Sequence, residues 1–478
     1  MEYEAVIGLE VHAQLATKTK IFCSCPTKFG ADANTQTCPV CIGMPGVLPV
    51  LNKNVVINTL KAGLALNSEV QVRSIFARKN YFYPDLPKGY QISQYELPIF
   101  LGGYIDIESE GEKKKIRLTR IHMEEDAGKS IHGANLNDPA SSYVDLNRTG
   151  VPLMEIVSEP DMNSSDEAKA YLSKLKTILQ YLKVSDCNME EGSLRCDANI
   201  SIRSKGEKTL GVKTEVKNMN SFKNVGKALD YEIERQIKCV GRGERIVQET
   251  RLWDTEKNIT LSMRSKEEAH DYRYFPDPDL VPIVIDKAWI EEIKNSLPEL
   301  PDAKKERFIT KYSLPIYDSE VLTASKEYAD FFEETFTYIN SPKSISNWIM
   351  SEVLRIVNEK GCSIYKAGIS PEQLADIIKL IKNGKISGKI GKQLFQEILG
   401  SDKKVEEIIK EKGLIQISDS SELEQIISDV IQKHPLEVER YRNGEKKLTG
   451  FLVGQVMKAT KGKANPKMVN QLISKCLG

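Results

Sequence analysis

The stretch Glu4-Ala5-Val6-Ile7-Gly8-Leu9-Glu10-Val11-His12 alternates along its length as a β-strand does, and this constrains the chain more than any other segment. Glu10 and His12 share one face, separated by two residues of strand rise or roughly 6–7 Å, while Leu9 and Val11 point the other way into a core. A carboxylate and an imidazole on a rigid element can bind a divalent cation or move a proton. The competing interpretation is an ordinary solvated strand face, and other strands have to decide between the two.

Several do. A basic strand, Lys113 to Arg120, leads into Ile121-His122-Met123-Glu124-Glu125-Asp126-Ala127-Gly128-Lys129-Ser130, where three consecutive acids end an extended segment. Adjacent like charges are costly unless a cation or base lies near. Gly150-Val151-Pro152-Leu153-Met154-Glu155-Ile156-Val157 embeds a lone carboxylate in an apolar run, and a buried acid without a partner is expensive. Leu194 to Arg203 alternates strictly and sets Arg195, Asp197 and Asn199 opposite its apolar side; Lys213, Glu215 and Lys217 repeat the arrangement. The pattern predicts an antiparallel sheet with one working face.

Carboxylates around a cation, flanked by bases, equip a protein for phosphoryl transfer, where catalysis is mostly positioning and charge neutralisation. Gly128-Lys129-Ser130 looks like the end of a phosphate-binding loop, but the glycine that such a loop needs falls on Met123. No Gly-x-Gly-x-x-Gly turn follows a strand. A nucleotide would have to lie on the sheet face.

The nine cysteines divide into a cluster of four and five scattered ones. The cluster runs Cys23-x-Cys25, twelve residues, then Cys38-Pro-Val-Cys41, a spacing suited to tetrahedral zinc with every ligand from protein and no open position for chemistry. Four unpaired thiols in a Gly/Pro-rich loop are the alternative. Cys187, Cys196, Cys239, Cys362 and Cys476 lack such spacing and read as packing residues.

A chain of 478 residues exceeds what one core serves, so two or three domains are expected. It begins Met-Glu-Tyr-Glu without a basic, apolar leader, and no apolar run approaches ~18 residues, which points away from secretion and membrane spanning and toward the cytoplasm. Net charge is zero, but from Tyr441 to Gly478 eight Lys or Arg face one acid, Glu445. That end is either suited to phosphate backbones or simply solvated.

Ser164-Ser165-Asp166-Glu167 predicts a capping box, and Tyr171, Leu172, Leu175, Ile178, Leu179 and Leu182 follow at helical spacing; Ser221 to Val240 reads as a second helix. Both are expected to back the sheet. Phe76 to Tyr90 and Asp271 to Asp279 mix aromatic residues with prolines that argue against regular structure, as rigid loops beside the site or as surface turns. From about Pro298 onward helices dominate, including Ser341 to Val357, Pro371 to Ile381 and Leu423 to Ile431, with Gly384, Gly388 and Gly391 at turns.

Five motifs in order, Val6 to His12, Asn80 to Asp85, His122 to Lys129, Leu194 to Asn199 and Asp271 to Pro276, together resemble the GatB family, the B subunits of the aspartyl/glutamyl-tRNA amidotransferases. The resemblance extends to Gly450 through Met457 and to Lys461-Gly462-Lys463-Ala464-Asn465-Pro466. It leaves no room for the large insertion of the archaeal relative GatE.

The resemblance implies an α+β protein: a catalytic domain at 1–293, its antiparallel sheet similar to glutamine synthetase and guanido kinases and its four-cysteine zinc loop at 23–41, then an all-α domain at 294–405 and a helical YqeY-like tail at 406–478. It implies a ligase that uses ATP to phosphorylate the side-chain carboxylate of glutamate on tRNA(Gln), or of aspartate on tRNA(Asn), before ammonia makes the amide. By this likeness Glu10, His12, Glu125 and Glu155 would hold magnesium, and Asp197 and Glu215 would complete the catalytic environment. Lys79, Lys88 and Arg195 would contact phosphate, and Lys458, Lys461 and Lys463 the tRNA. The zinc would be structural and dispensable to the reaction. Nothing in the chain resembles a glutaminase, so a GatA-like amidase-type glutaminase and a small GatC-like protein are the implied partners, with ammonia channelled between sites.

Two other function classes compete. A zinc-containing, non-catalytic tRNA-binding protein would account for the basic tail and the cysteines but leaves Glu155 and the acidic strand faces unexplained. A free-standing acid–ammonia ligase would amidate a small metabolite without tRNA. Which mischarged tRNA is used depends on the synthetases of the cell.

Overall fold

The computed structural model describes residues 2–132, 141–265, 272–401, 403–412, 420–460, 464 and 466–477, and these form two compact units, Met1–Leu300 and Pro301–Gly478. The first is built on a ten-stranded sheet in which Tyr3–Gln14 lies at the centre, between Leu194–Ser204 on one side and Pro152–Ser158 on the other. Glu112–Glu125 continues the sheet beyond Pro152–Ser158, and Thr214–Lys217 continues it beyond Leu194–Ser204. Pairing is antiparallel throughout except between Thr214–Lys217 and Glu249–Asp254, which run parallel.

Alternation makes this sheet two-faced. Ile7, Leu9, Val11 and Ala13 are fully buried and share a core with Ile121, Met123, Met154, Ile156, Ala198 and Ile200 from neighbouring strands. Fully burying each Ile, Leu or Val stabilises by about 1.5–3 kcal/mol, so the central strand alone ties its orientation to several such contributions. The backing helices Ser165–Tyr181 and Phe222–Gly241 fill that core with Tyr171, Leu172, Leu175 and Leu179 from one and Val225, Ala228 and Leu229 from the other. Each begins where its N-cap serine accepts a backbone hydrogen bond: Ser164 Oγ from the Glu167 amide at 3.1 Å, and Ser221 Oγ from the Asn224 amide at 3.1 Å. The expected capping box is only half formed. Glu167 turns its carboxylate to the Asn163 amide (2.7 Å) and to Lys114 (2.7 Å), because Lys114 on the neighbouring strand offers a charged donor.

The aromatic-proline segments are more regular than their prolines suggest. Ala77–Asn80 pairs with Tyr90–Ser93 and with Phe275–Pro276, Pro276 tolerating the outer position of this small sheet, and Asn80 Nδ2 donates to the carbonyls of Tyr272 (3.1 Å) and Arg273 (2.8 Å). The two segments are thus one structure. Asp271 lies outside the described residues. Of the scattered cysteines, Cys187 and Cys196 are buried, whereas Cys239 and Cys362 are half-buried and Cys476 is exposed and does not pack.

Among the described residues the second unit has helices and no strand, gathered on two apolar clusters, one from Phe308 to Ile409 and one from Leu423 to Leu477. The expected boundaries at 293/294 and 405/406 both fall within helices, Lys287–Asn295 and Val405–Lys412. Ile293 packs in the sheet core, and Val405, Ile408 and Ile409 pack in the first helical cluster, so burial carries each helix past the expected break. Ser341 to Val357 divides into Pro342–Trp348, a π-helical turn at Ile349–Val353 and Leu354–Lys360. Gly384 does sit in a left-handed turn, but Gly388 opens the helix Gly388–Ile398 and Gly391 lies inside it, where a Cβ would collide with Ile381. No helix of the described residues is long and apolar enough to cross a membrane.

Gly63 shows how tightly the first unit is packed: it lies in the helix Lys53–Ala65, and a Cβ there would run into the ring of the fully buried Phe100. An exposed helical Gly→Ala change gains up to about 1 kcal/mol; here overpacking costs about 1–3 kcal/mol. Gly63→Ala should therefore lower, not raise, the urea midpoint of the first unit's unfolding.

Candidate active site

The register of five strands assembles the polar face. His12 is opposite Arg195 on one side and Glu155 on the other, and Glu155 is in turn opposite His122. Glu10 is opposite Asp197, and Asn199 is opposite Glu215. Directly opposed residues share a face, so Glu10, His12, Glu155, His122, Arg195, Asp197, Asn199 and Glu215 all rise from one surface of the sheet.

At its centre, imidazoles and carboxylates interleave. Glu155 Oε2 is 3.3 Å from His12 Nε2 and 3.2 Å from His122 Nε2, and Glu124 Oε1 is 3.5 Å from His12 Nε2. One donor atom each from His12, Glu124 and Glu155 lies within 4.8 Å of the others, a set that could hold a metal ion. Burial works against a charged His12, but the Glu155 carboxylate, which it also hydrogen-bonds, and then Glu124 and Asp197 outweigh it and hold the pKa at about 9. Burial likewise works against the Glu155 carboxylate, yet His122 and His12 keep it well below the usual carboxylate range.

The sheet divides the magnesium set inferred from resemblance between its two faces. Glu125 stands beside Glu124 on the strand and so points to the opposite face; it pairs with Lys88 and accepts from the Ile92 amide at 2.9 Å. Glu124, not Glu125, lies beside His12 and Glu155. Glu10 lies on the correct face but outside the three-residue group, accepting from Asn199 Nδ2 at 2.8 Å. Sequence reasoning passes over Glu124 and His122 as site residues. The signal for them is their i, i+2 spacing, legible only once the strand is known to run through both acids to Glu125.

Around the centre, cations and phenols are fixed by further pairs. Lys217 bonds Asp197 and lies 3.4 Å from Glu215, whose other oxygen accepts from Thr250 Oγ1 at 2.8 Å. Arg195 reaches Asp126 at 3.0 Å, where Gln14 Nε2 also donates at 3.0 Å, and its own Nε has no hydrogen-bond partner among the described residues. Lys79 lies 4.7 Å from the Tyr272 ring centre; burial disfavours its charge, but Tyr274, Glu124 and Glu155 raise its pKa above the lysine value. Tyr274 stacks on Tyr95 at 4.2 Å, and burial, opposed by Lys79 and reinforced by Glu124 and Glu155, pushes its phenol up to about 12. Lys88 belongs elsewhere. With Glu125 it lines a cleft shared with Cys23 and Cys41.

One sulfur from each of Cys23, Cys25, Cys38 and Cys41 lies within 4.8 Å of the others, as a tetrahedral thiolate site requires. Cys41 is strongly acidified: the Cys23 thiol donates to it and outweighs burial, the Cys38 amide donates at 3.2 Å, and the buried Lys20 Nζ stands 3.6 Å away, holding its pKa at about 4. Thiolate character is what metal binding requires. In the tail, Lys458 lies in the helix Thr449–Ala459, while Lys461 and Lys463 fall outside the described residues.

Stability drawn from His12 is complete below its ordinary value of 6.5 and is lost as pH rises through about 9. That drawn from Glu155 is complete above its ordinary value of 4.5 and is lost only as acid reaches its depressed folded pKa. In metal-free protein His12→Gln should therefore cost roughly 2 kcal/mol near pH 6 and far less near pH 10 by urea unfolding; an equal loss at both would contradict the pairing.

The comparisons with other proteins cover the same ground and more. A family model described as the GatB/GatE catalytic domain matches residues 5–291, and one described as the GatB domain matches residues 330–477. The B subunit of the aspartyl/glutamyl-tRNA(Asn/Gln) amidotransferase of Thermodesulfovibrio yellowstonii is 61% identical over 478 residues, 100% of each chain. Its counterpart from Carboxydothermus hydrogenoformans is 59% identical over 472 residues, 99% of this chain and 98% of the other, and that from Persephonella marina is 56% identical over 478 residues, 100% of each. End-to-end identity of this order leaves no part of the chain unaccounted for, and it belongs to the GatB family of amidotransferase B subunits.

Proposed function

We propose that this chain carries the synthetic site of a tRNA-dependent amidotransferase, in which the γ-phosphoryl group of ATP passes to the side-chain carboxylate of glutamate on tRNA(Gln) or aspartate on tRNA(Asn). The observation that carries this reading is the convergence of His12, Glu124 and Glu155 on the polar face of a rigid sheet, in a chain of this family. A carboxylate oxygen of the aminoacyl group attacks the γ-phosphorus and ADP leaves. Ammonia then attacks the acyl carbon of the mixed anhydride, phosphate leaves, and the amide remains once the nitrogen loses its extra proton.

The donor set fits a hard divalent cation: two carboxylates for magnesium, with one imidazole in addition. His12, Glu124 and Glu155 would hold the ion, which when bound neutralises phosphate charge. The chain's own groups do the rest. Lys217 and Arg195, each anchored by a carboxylate, stand ready for phosphate oxygens, the unpartnered Nε of Arg195 being a donor with nothing to satisfy it among the described residues. Lys79, set among Tyr272 and Tyr81, adds a third cation under an aromatic cover that limits water, which would otherwise hydrolyse the anhydride. Glu10, Asp197 and Glu215 orient Asn199, Lys217 and Thr250 rather than meeting the ion.

Membership of the family supports the remaining roles in this reading. Zinc on the four cysteines ties the loop 23–41 as a structural site. Lys458, Lys461 and Lys463 belong to the tRNA-gripping tail. A GatA-like amidase and a small GatC-like protein would supply ammonia in the cytoplasm, through a channel because free ammonia is protonated in water. A non-catalytic RNA-binding role leaves the buried histidine–carboxylate group without purpose.

The test uses the complex assembled with its partner proteins. ATP hydrolysis should be stimulated by mischarged tRNA and not by uncharged tRNA, with amidated aminoacyl-tRNA as product. Glu155→Gln should lower amide formation by at least about 100-fold while tRNA affinity stays within about twofold; near-normal activity in that variant would overturn the assignment.

A further inference from the structure

The row of opposed residues that runs from Asp197 through Glu10 and Val157 ends on Arg120, which therefore rises from the polar face at the flank away from Lys217. Three strand spacings put Arg120 about 14 Å from Asp197 across that face, and on its own strand it precedes His122 by two residues, roughly 6–7 Å of rise. Its surroundings differ from those of the other cations. Arg195 leans on Asp126 and Lys217 on Asp197, whereas the half-buried Arg120 has no hydrogen-bond or ion-pair partner among the described residues. Its neighbours are aromatic and aliphatic. The guanidinium carbon lies 5.8 Å from the ring centre of Tyr95, which stacks on Tyr274 at 4.2 Å with 8° between the planes, and Leu101, 44% exposed, stands opposite it on the next strand, Phe100–Leu101.

We infer that this flank takes the 3′-terminal nucleotide of the aminoacyl-tRNA, its base against the Tyr95–Tyr274 pair and its phosphate on Arg120. The inference rests on the reading that the chain phosphorylates an aminoacyl carboxylate. In phosphoryl transfer the attacking and leaving oxygens lie roughly in line through phosphorus, so donor and acceptor reach the centre from opposite sides. With Lys217 and Arg195 on one flank for the phosphates of ATP, the flank of Arg120 is left for the acceptor.

The chemistry of the flank agrees with that division. A half-buried guanidinium with no carboxylate beside it is a charge still to be paired, and the acceptor brings a phosphate on the very nucleotide that carries the reacting ester. A parallel pair of tyrosines with an arginine at its rim offers stacking that any base can use, the combination that holds single-stranded RNA ends. Leu101 and the half-buried Val157 give the sugar an apolar floor. A free amino acid, lacking both base and phosphate, would need none of this.

The experiment uses the complex with its partner proteins and two probes, uncharged tRNA intact and the same tRNA without its terminal adenosine. Wild type should bind the intact form about tenfold more tightly, and Arg120→Gln should bind the two alike. In amide formation Arg120→Gln should raise the KM for mischarged tRNA by about tenfold or more while the KM for ATP stays within about twofold. Tyr95→Ala should share the defect, and Tyr95→Phe, which keeps the ring, should not. Because Arg120 has no ionic partner to strand, its urea midpoint should hold. A raised KM for ATP with that for tRNA unchanged would overturn the assignment and give Arg120 to the nucleotide; a wild type that binds intact and truncated tRNA alike would overturn it as well. If end-dependent binding is lost in Arg120→Gln but mischarged tRNA fails to stimulate ATP hydrolysis in the wild type, the proposed reaction falls and the end-binding site stands.

Discussion

Everything at the site depends on the register of Tyr3–Gln14 against its two neighbours. Because strand side chains alternate with a period of two, the same pairing that buries Leu9 and Val11 against Ile156, Met154 and Ala198 brings His12 beside Glu155 and Glu10 beside Asp197. A slip of one residue on this strand would send a carboxylate and an imidazole into the core and its aliphatic residues to the polar face. Hydrophobic burial thereby enforces the polar geometry. The energy of the core and the position of the chemistry are two consequences of one alignment.

That coupling explains how the face tolerates so much charge. Glu155, Glu124, Glu10, Asp197 and Glu215 would repel one another on an open surface, but each meets a cation, an imidazole or a neutral donor held by the adjacent strand. The pairs are strong because they are half-buried or buried, where solvent screens them little. His12 and Glu155 shift in opposite directions for this reason, the imidazole upward and the carboxylate downward. The aromatic cover is built separately, from two segments far apart in the chain that meet as the small sheet around Arg78, Arg78 bonding Asp277 at 2.8 Å and Asp279 at 2.8 Å.

Much of this was legible in the sequence, and the misses share a cause. Strict alternation identified the central strand and Leu194–Ser204 with their polar faces, and helical spacing identified Tyr171, Leu172, Leu175 and Leu179 as a buried stripe. Glu124 could not be told from Glu125, because choosing between neighbours on a strand requires knowing what lies opposite, and that is a long-range fact. His122 stands in a motif, but an imidazole in an apolar-looking stretch gives no sign that Glu155 comes to meet it. The prolines of the aromatic segments argued against strands, but a proline at the edge of a short pairing costs no ladder bond. Gly391 reads as a turn by composition, whereas the close passage of Ile381 is what requires it.

The central claim is that a divalent cation is bound by this face through an imidazole of the first strand. Electron spin-echo modulation of manganese bound to histidine-labelled protein reads that bond directly. The account predicts nitrogen modulation that changes when nitrogen-15 histidine is introduced and that loses the His12 contribution in His12→Gln. Manganese bound with oxygen ligands only, giving no nitrogen modulation, would contradict it.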